Sequence, residues 1–126
     1  MKQKTNLKTW LKAWFTPIIW AAIIYSFSAQ SVLPGFTISV ADFLFKKSAH
    51  IFVYGVLYWL TLRALNKTTN QKSHQNWWLA MILCLIYAVS DEFHQANVPG
   101  RHPSFRDVGF DFLGVTLVFL KKFKYI

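Results

Sequence analysis

The chain has 126 residues, is 54% hydrophobic and 18% aromatic, and carries a formal net charge of +9. One domain suits that length, and a charged fraction of 15% falls well short of the roughly one quarter usual in soluble domains. The lysines gather at the ends of apolar blocks, which argues against nucleic acid as a partner, and Cys84 as the only cysteine excludes an internal disulfide.

Four apolar blocks predict an all-α fold: a four-transmembrane-helix bundle with helices at about 13–31, 48–66, 76–96 and 104–121 in a single domain, 1–126. The first block, Trp14–Ala29, follows the basic residues Lys2, Lys4, Lys8 and Lys12, as in a signal peptide, and Ser26-Phe27-Ser28 has the look of a small-residue cleavage site. The run is of spanning length and the other three blocks need a partner for an even topology. The expectation is therefore a retained helix, with Pro17 in its first turn or two, where the missing N–H costs least. Next comes "LPGFTISVADFLFKK" (Leu33–Lys47), read as a Pro34-Gly35 turn and a short interfacial helix.

The second block, Ala49–Leu62, carries His50 and Tyr54 at i,i+4, a polar face on one side of a helix. A polar loop, Asn66–Asn76, leads to the third block, Trp77–Ser90. Its far end carries Asp91, Glu92, His94 and Gln95, with Asp91, His94 and Gln95 at i, i+3, i+4. The turn "NVPGRHP" (Asn97–Pro103) holds Arg101 and His102. The last helix carries Arg106, then Asp107 and Asp111 at i,i+4, with Gly114 continuing that face and admitting a close neighbouring backbone. Tyr25 and Ser28 are placed to line the first helix.

Ten of the fourteen Lys and Arg residues fall on the side of the two termini and the second loop. The positive-inside rule therefore puts both termini in the cytoplasm of a multi-pass protein of the bacterial plasma membrane. Four of the five acidic residues lie between Ser90 and Asp111, on the opposite side. Asp91 is about 21 Å along the third helix from Trp77 at 1.5 Å per residue, inside a hydrocarbon core of about 30 Å. Counted back from Lys121, Asp111 comes near the midplane. An Asp at the centre of a bilayer costs about 2.5–3.5 kcal/mol on insertion scales, so these groups need partners or a polar cavity.

Three chemistries fit. Arg101, Arg106 and His50 neutralise the carboxylates and hold the loop in place. Alternatively, the faces form an outward polar pocket, where Glu92, His94, His50 and Asp107 are suited to general acid–base work, Arg101 and Arg106 to binding an anionic head group, and Asp91, Gln95 and Asp111 to binding as well. A metal site is the third, but no HExxH or CxxC spacing occurs; no metal site is assigned and the cofactor is left open. His74, His102 and Arg63 read as solvated or snorkelling residues.

"SDEFHQANVPGRHPSFRDVGFDFLG" resembles the signature of the VanZ-like membrane proteins: Asp-Glu-x-His-Gln, then Pro-Gly-Arg, then Asp, then Asn or Asp and Gly on the last helix. "KSAHIFVYGVL" resembles the family's Lys-x-x-His opening of the second helix, and "YSFSAQS" the Ser-rich end of its first. Lys46 stands where an Asp is common, which puts a salt bridge at the mouth in doubt. Asp111 stands where Asn is frequent, which makes the inner pocket more acidic. The resemblance implies a four-helix membrane protein, and the family's namesake gives resistance to teicoplanin, a lipoglycopeptide, with little effect on vancomycin. The expected partners are the lipid bilayer and an envelope lipid or lipoglycopeptide. A membrane enzyme acting on a lipid head group and a structural or accessory subunit are the alternatives.

Overall fold

The computed structural model describes residues 5–30 and 39–126. Four helices appear among them: α1 (Leu7–Ser28), α2 (Ser39–Thr68), α3 (Ser73–Gln95) and α4 (Phe105–Lys122). Each start is set locally. The Asn6 side chain accepts from the Thr9 amide at 2.8 Å, and the Ser104 hydroxyl accepts from the Arg106 amide at 3.2 Å. The Lys72 amide donates to the Gln75 side chain at 3.1 Å.

Two expectations about the elements need correction. The segment before His50 is no separate interfacial helix, because α2 runs unbroken from Ser39 for 30 residues, about 45 Å. Asp42 and Lys46 pair at 2.8 Å along its first turns and support that extension. The expected Pro34-Gly35 turn lies outside the described residues. Second, α1 begins at Leu7, six residues before the expected start, so Pro17 sits in its middle, three turns in. Proline has no amide for the Ala13 carbonyl there, a gap accepted in mid-helix. Pro17 and Ala13 are both buried.

The helices run up, down, up and down. Tyr54 meets Asp91 and Tyr58 meets Trp77, so α2 and α3 are antiparallel. His50 meets Asp111 and Gly55 meets Val118, so α2 and α4 are parallel. The core is centred on α2, where Tyr54, Leu57, Tyr58 and Leu62 pack against Ala80, Cys84 and Ala88 of α3 and Val115 of α4. Gly114 is the closest approach of α2 and α4: a Cβ there would collide with the backbone of Ile51.

Two side chains tie α1 to its neighbours through backbone oxygens, Trp20 Nε1 to Val53 O at 2.8 Å and Tyr87 OH to Ala21 O at 2.5 Å. At the end where α2 turns into α3, buried Asn76 donates to Asn66 at 2.8 Å and accepts from Thr69 at 2.9 Å. That end is closed by neutral amides. The buried carboxylates are all at the other end. Among the described residues, α1 is the one helix long and apolar enough to cross a membrane.

Candidate functional site

The polar end of the bundle is built from the last turn of α1, the first half of α2, the last turns of α3 and the first turns of α4. The α3–α4 connection covers it. Gly100 makes the bend in that connection with φ 80°, a conformation glycine adopts freely.

Three carboxylates are fixed in different ways. Asp91 is 5% exposed and receives Ser28 Oγ at 2.8 Å, Gln95 Nε2 at 3.3 Å and Tyr54 OH at 3.4 Å. Gln95 also donates to Ser28 at 3.2 Å, so α1, α2 and α3 close a ring of neutral groups around this one acid. Asp111, 1% exposed, takes His50 Nδ1 at 2.6 Å through Oδ1. Asp107 pairs with Lys47. Lys47 and His50 are i,i+3 on α2, and Asp107 and Asp111 are i,i+4 on α4, so the two parallel helices meet in two polar rungs. Lys46, at the position where an Asp is common, pairs with Asp42 at 2.8 Å, and the lysine that reaches α4 is its neighbour Lys47. Glu92 acts differently. Its Oε2 accepts the Ser104 amide at 2.9 Å and ties the end of α3 to the start of α4.

Several polar atoms are buried without a hydrogen-bond partner: Asp91 Oδ1, Glu92 Oε1, Asp111 Oδ2 and His94 Nδ1. A buried acceptor left unmade costs about 1–3 kcal/mol. Three such oxygens at one end of one small bundle mark it as a place where stability has been given up.

A cavity of about 640 Å³ opens between α1, α2, α3, the α3–α4 connection and the first turn of α4. Its polar wall includes Lys47, His50, Asp91, Gln95, Arg101 and Asp107. Its apolar wall includes Trp20, Ile23, Phe27, Phe45 and Val53. The inner polar residues Ser28, Tyr54, Asp91 and Gln95 are buried, whereas Arg101 is half-buried and His102 exposed.

The candidates read from the sequence thus divide. His50, Asp91, Gln95, Arg101 and Asp107 border the cavity, while Glu92, His94, Arg106 and Asp111 do not. His94 stacks on Tyr25 of α1 with ring centroids 4.3 Å apart. Arg106 is exposed, with its guanidinium 5.8 Å from the centre of the Phe43 ring. Asp111 acts on the cavity through His50. Two wall groups escaped the sequence reading. Lys47 stands in the Lys-x-x-His resemblance but is not among the candidate site residues, and Trp20 and Phe27 lie inside an apolar block where no local pattern singles them out. Among the described residues, no group of three or more His, Cys, Asp and Glu side chains is placed to hold a metal ion.

The fold and the cavity define a small all-helical protein whose buried carboxylates gather at one end, beside an amphipathic cavity. The third-loop motif is the segment that carries Asp91, Arg101 and Asp107 into that cavity. The family model VanZ/LLP1 matches residues 2–121, nearly the whole chain, and the protein belongs to that family. No curated protein and no solved structure matches it.

Proposed function

We propose that the protein is a multi-pass protein of the bacterial plasma membrane, with four spans and both termini in the cytoplasm. Its cavity opens outward and engages the head group of an envelope lipid or a lipid-tailed glycopeptide. The observation that carries this reading is the composition of the cavity, whose lining combines cationic and acidic groups with aromatic and aliphatic ones. Such a cavity complements a ligand with a charged head and an apolar tail. Arg101 would meet an anionic group by a forked hydrogen bond.

Support for four spans comes from the outer faces. Large apolar side chains are exposed on every helix, among them Phe15 and Ile18 on α1, Phe52 on α2, Ile86 on α3 and Leu117 on α4. Water disfavours that much exposed apolar surface, and lipid accepts it. On α2, Lys47 and Arg63 bracket a stretch of about 24 Å, and the exposed Arg63 side chain can reach toward an interface. Arg63 lies 5.8 Å over the Trp59 ring, an amphipathic pair suited to a membrane boundary.

In a susceptible Gram-positive host, expression of the chain is expected to raise the teicoplanin concentration needed for inhibition and to leave that of vancomycin unchanged. Unchanged inhibition by both drugs would remove the resistance role.

The His50–Asp111 pair favours a second reading, a membrane enzyme acting on a lipid head group. A carboxylate on Nδ1 fixes the imidazole tautomer and leaves Nε2 as the base, the arrangement that general-base catalysis uses. Labelled envelope lipids would then give a product that His50→Gln abolishes; intact lipid after prolonged incubation would reject it.

A further inference from the structure

Asp91 and Arg101 are opposite charges in the lining of one cavity, and neither forms an ion pair among the described residues. The other wall acid, Asp107, is neutralised by Lys47. The three donors to Asp91 are all neutral, and all three converge on Oδ2. A carboxylate accepts on both oxygens, yet Oδ1 is buried with no partner. Ser28, Tyr54 and Gln95 come from three different helices, so the carboxylate is held from three sides while its charge is met by no cation. Arg101 lines the same cavity from the α3–α4 connection and is only half-buried.

On the reading that the cavity takes a lipid, we propose that it recognises a zwitterionic head group, a primary ammonium beside a phosphate, with the ammonium on Asp91 and the phosphate on Arg101. An ammonium brings three N–H donors and a full positive charge, which the inner wall lacks. A phosphate matches the planar fork of the guanidinium. The apolar wall of Trp20, Ile23, Phe27 and Val53 selects a lipid over the free phosphoamine, because the acyl chains continue from the phosphate along it. A quaternary trimethylammonium keeps the charge but has no N–H to give Asp91, so the site discriminates against it.

The test is calorimetric titration of the full chain in detergent with short-chain phosphatidylethanolamine, phosphatidylcholine and phosphatidic acid, and with soluble O-phosphoethanolamine. Phosphatidylethanolamine is expected to bind about tenfold tighter than the other two lipids, the scale of one charge-assisted hydrogen bond. Asp91→Asn should erase that margin and leave phosphatidic acid unaffected, whereas Arg101→Gln should weaken all three lipids. Equal binding of the three lipids by the wild-type protein overturns the zwitterion assignment and leaves the lipid reading standing. This comparison needs no variant to fold. O-phosphoethanolamine binding as tightly as the lipid overturns the membrane source. No binding by any lipid overturns both the assignment and the lipid reading.

Discussion

His50 is the hinge of the site's electrostatics. Its Nδ1 lies 2.6 Å from Asp111, a carboxylate almost fully enclosed by α2 and α4. Asp111 Oδ2 already lacks a partner, so His50→Ala would leave both oxygens uncompensated. Breaking a buried pair from one side costs about 3–5 kcal/mol, and denaturation in detergent should show a loss of that size. A variant as stable as the wild type would mean that the pair does not hold the helices together. The i,i+4 spacings of His50 with Tyr54 and of Asp107 with Asp111 were legible in the sequence as polar faces. Which side of Asp91 turns inward was not. At 100° per residue, Gln95 lies about 40° to one side of Asp91 and His94 about 60° to the other. The position of α1 decides between them: Ser28 takes the Gln95 side, and Tyr25 draws His94 into a stack. That choice depends on a helix distant in the sequence, so no local pattern holds it.

At the scale of the element, the seam between α2 and α4 sets the register of the polar rungs. Gly114 lets the helices close until its Cα faces the Ile51 backbone, while Gly109, little more than one turn earlier, has open space around it. Gly114→Ala should therefore force the seam apart, destabilise by about 1–3 kcal/mol and loosen the His50–Asp111 contact. Gly109→Ala meets nothing and should leave stability unchanged or raise it by up to about 1 kcal/mol through helix propensity. Equal effects of the two substitutions in a thermal melt would contradict the close packing described for Gly114. The four elements and their order followed from the apolar blocks, because each block is long and bounded by basic or turn residues. Their ends were less legible. The first turns of α1 interrupt their apolar residues with Lys8, Thr9 and Lys12, and the opening of α2 mixes Asp42 with Lys46 and Lys47, so neither reads as part of an apolar run. Asn6 capping and the Asp42–Lys46 pair carry helix where hydropathy held no signal.

For the whole molecule, the two ends of the bundle differ in kind. One end is sealed by Asn66, Thr69 and Asn76, neutral groups that satisfy one another. The other keeps buried carboxylate oxygens unpartnered beside a 640 Å³ cavity with an aromatic wall. A bundle held together only by its charges has no use for that asymmetry, whereas a protein that binds an amphipathic ligand needs it. The sequence foretold the concentration of charge at one end. It could not foretell the size of a cavity, since that volume depends on how four helices are spaced. Ala49 borders the cavity and takes no part in the polar network, so Ala49→Trp adds bulk at the cavity's edge and removes none of the acids. The most direct measurement is native mass spectrometry of the protein purified in mild detergent from its own membrane. The wild-type chain should carry a bound envelope lipid, and Ala49→Trp should carry little or none. A wild-type spectrum without lipid, or equal lipid on both proteins, would contradict the claim that this cavity is where the protein meets its ligand.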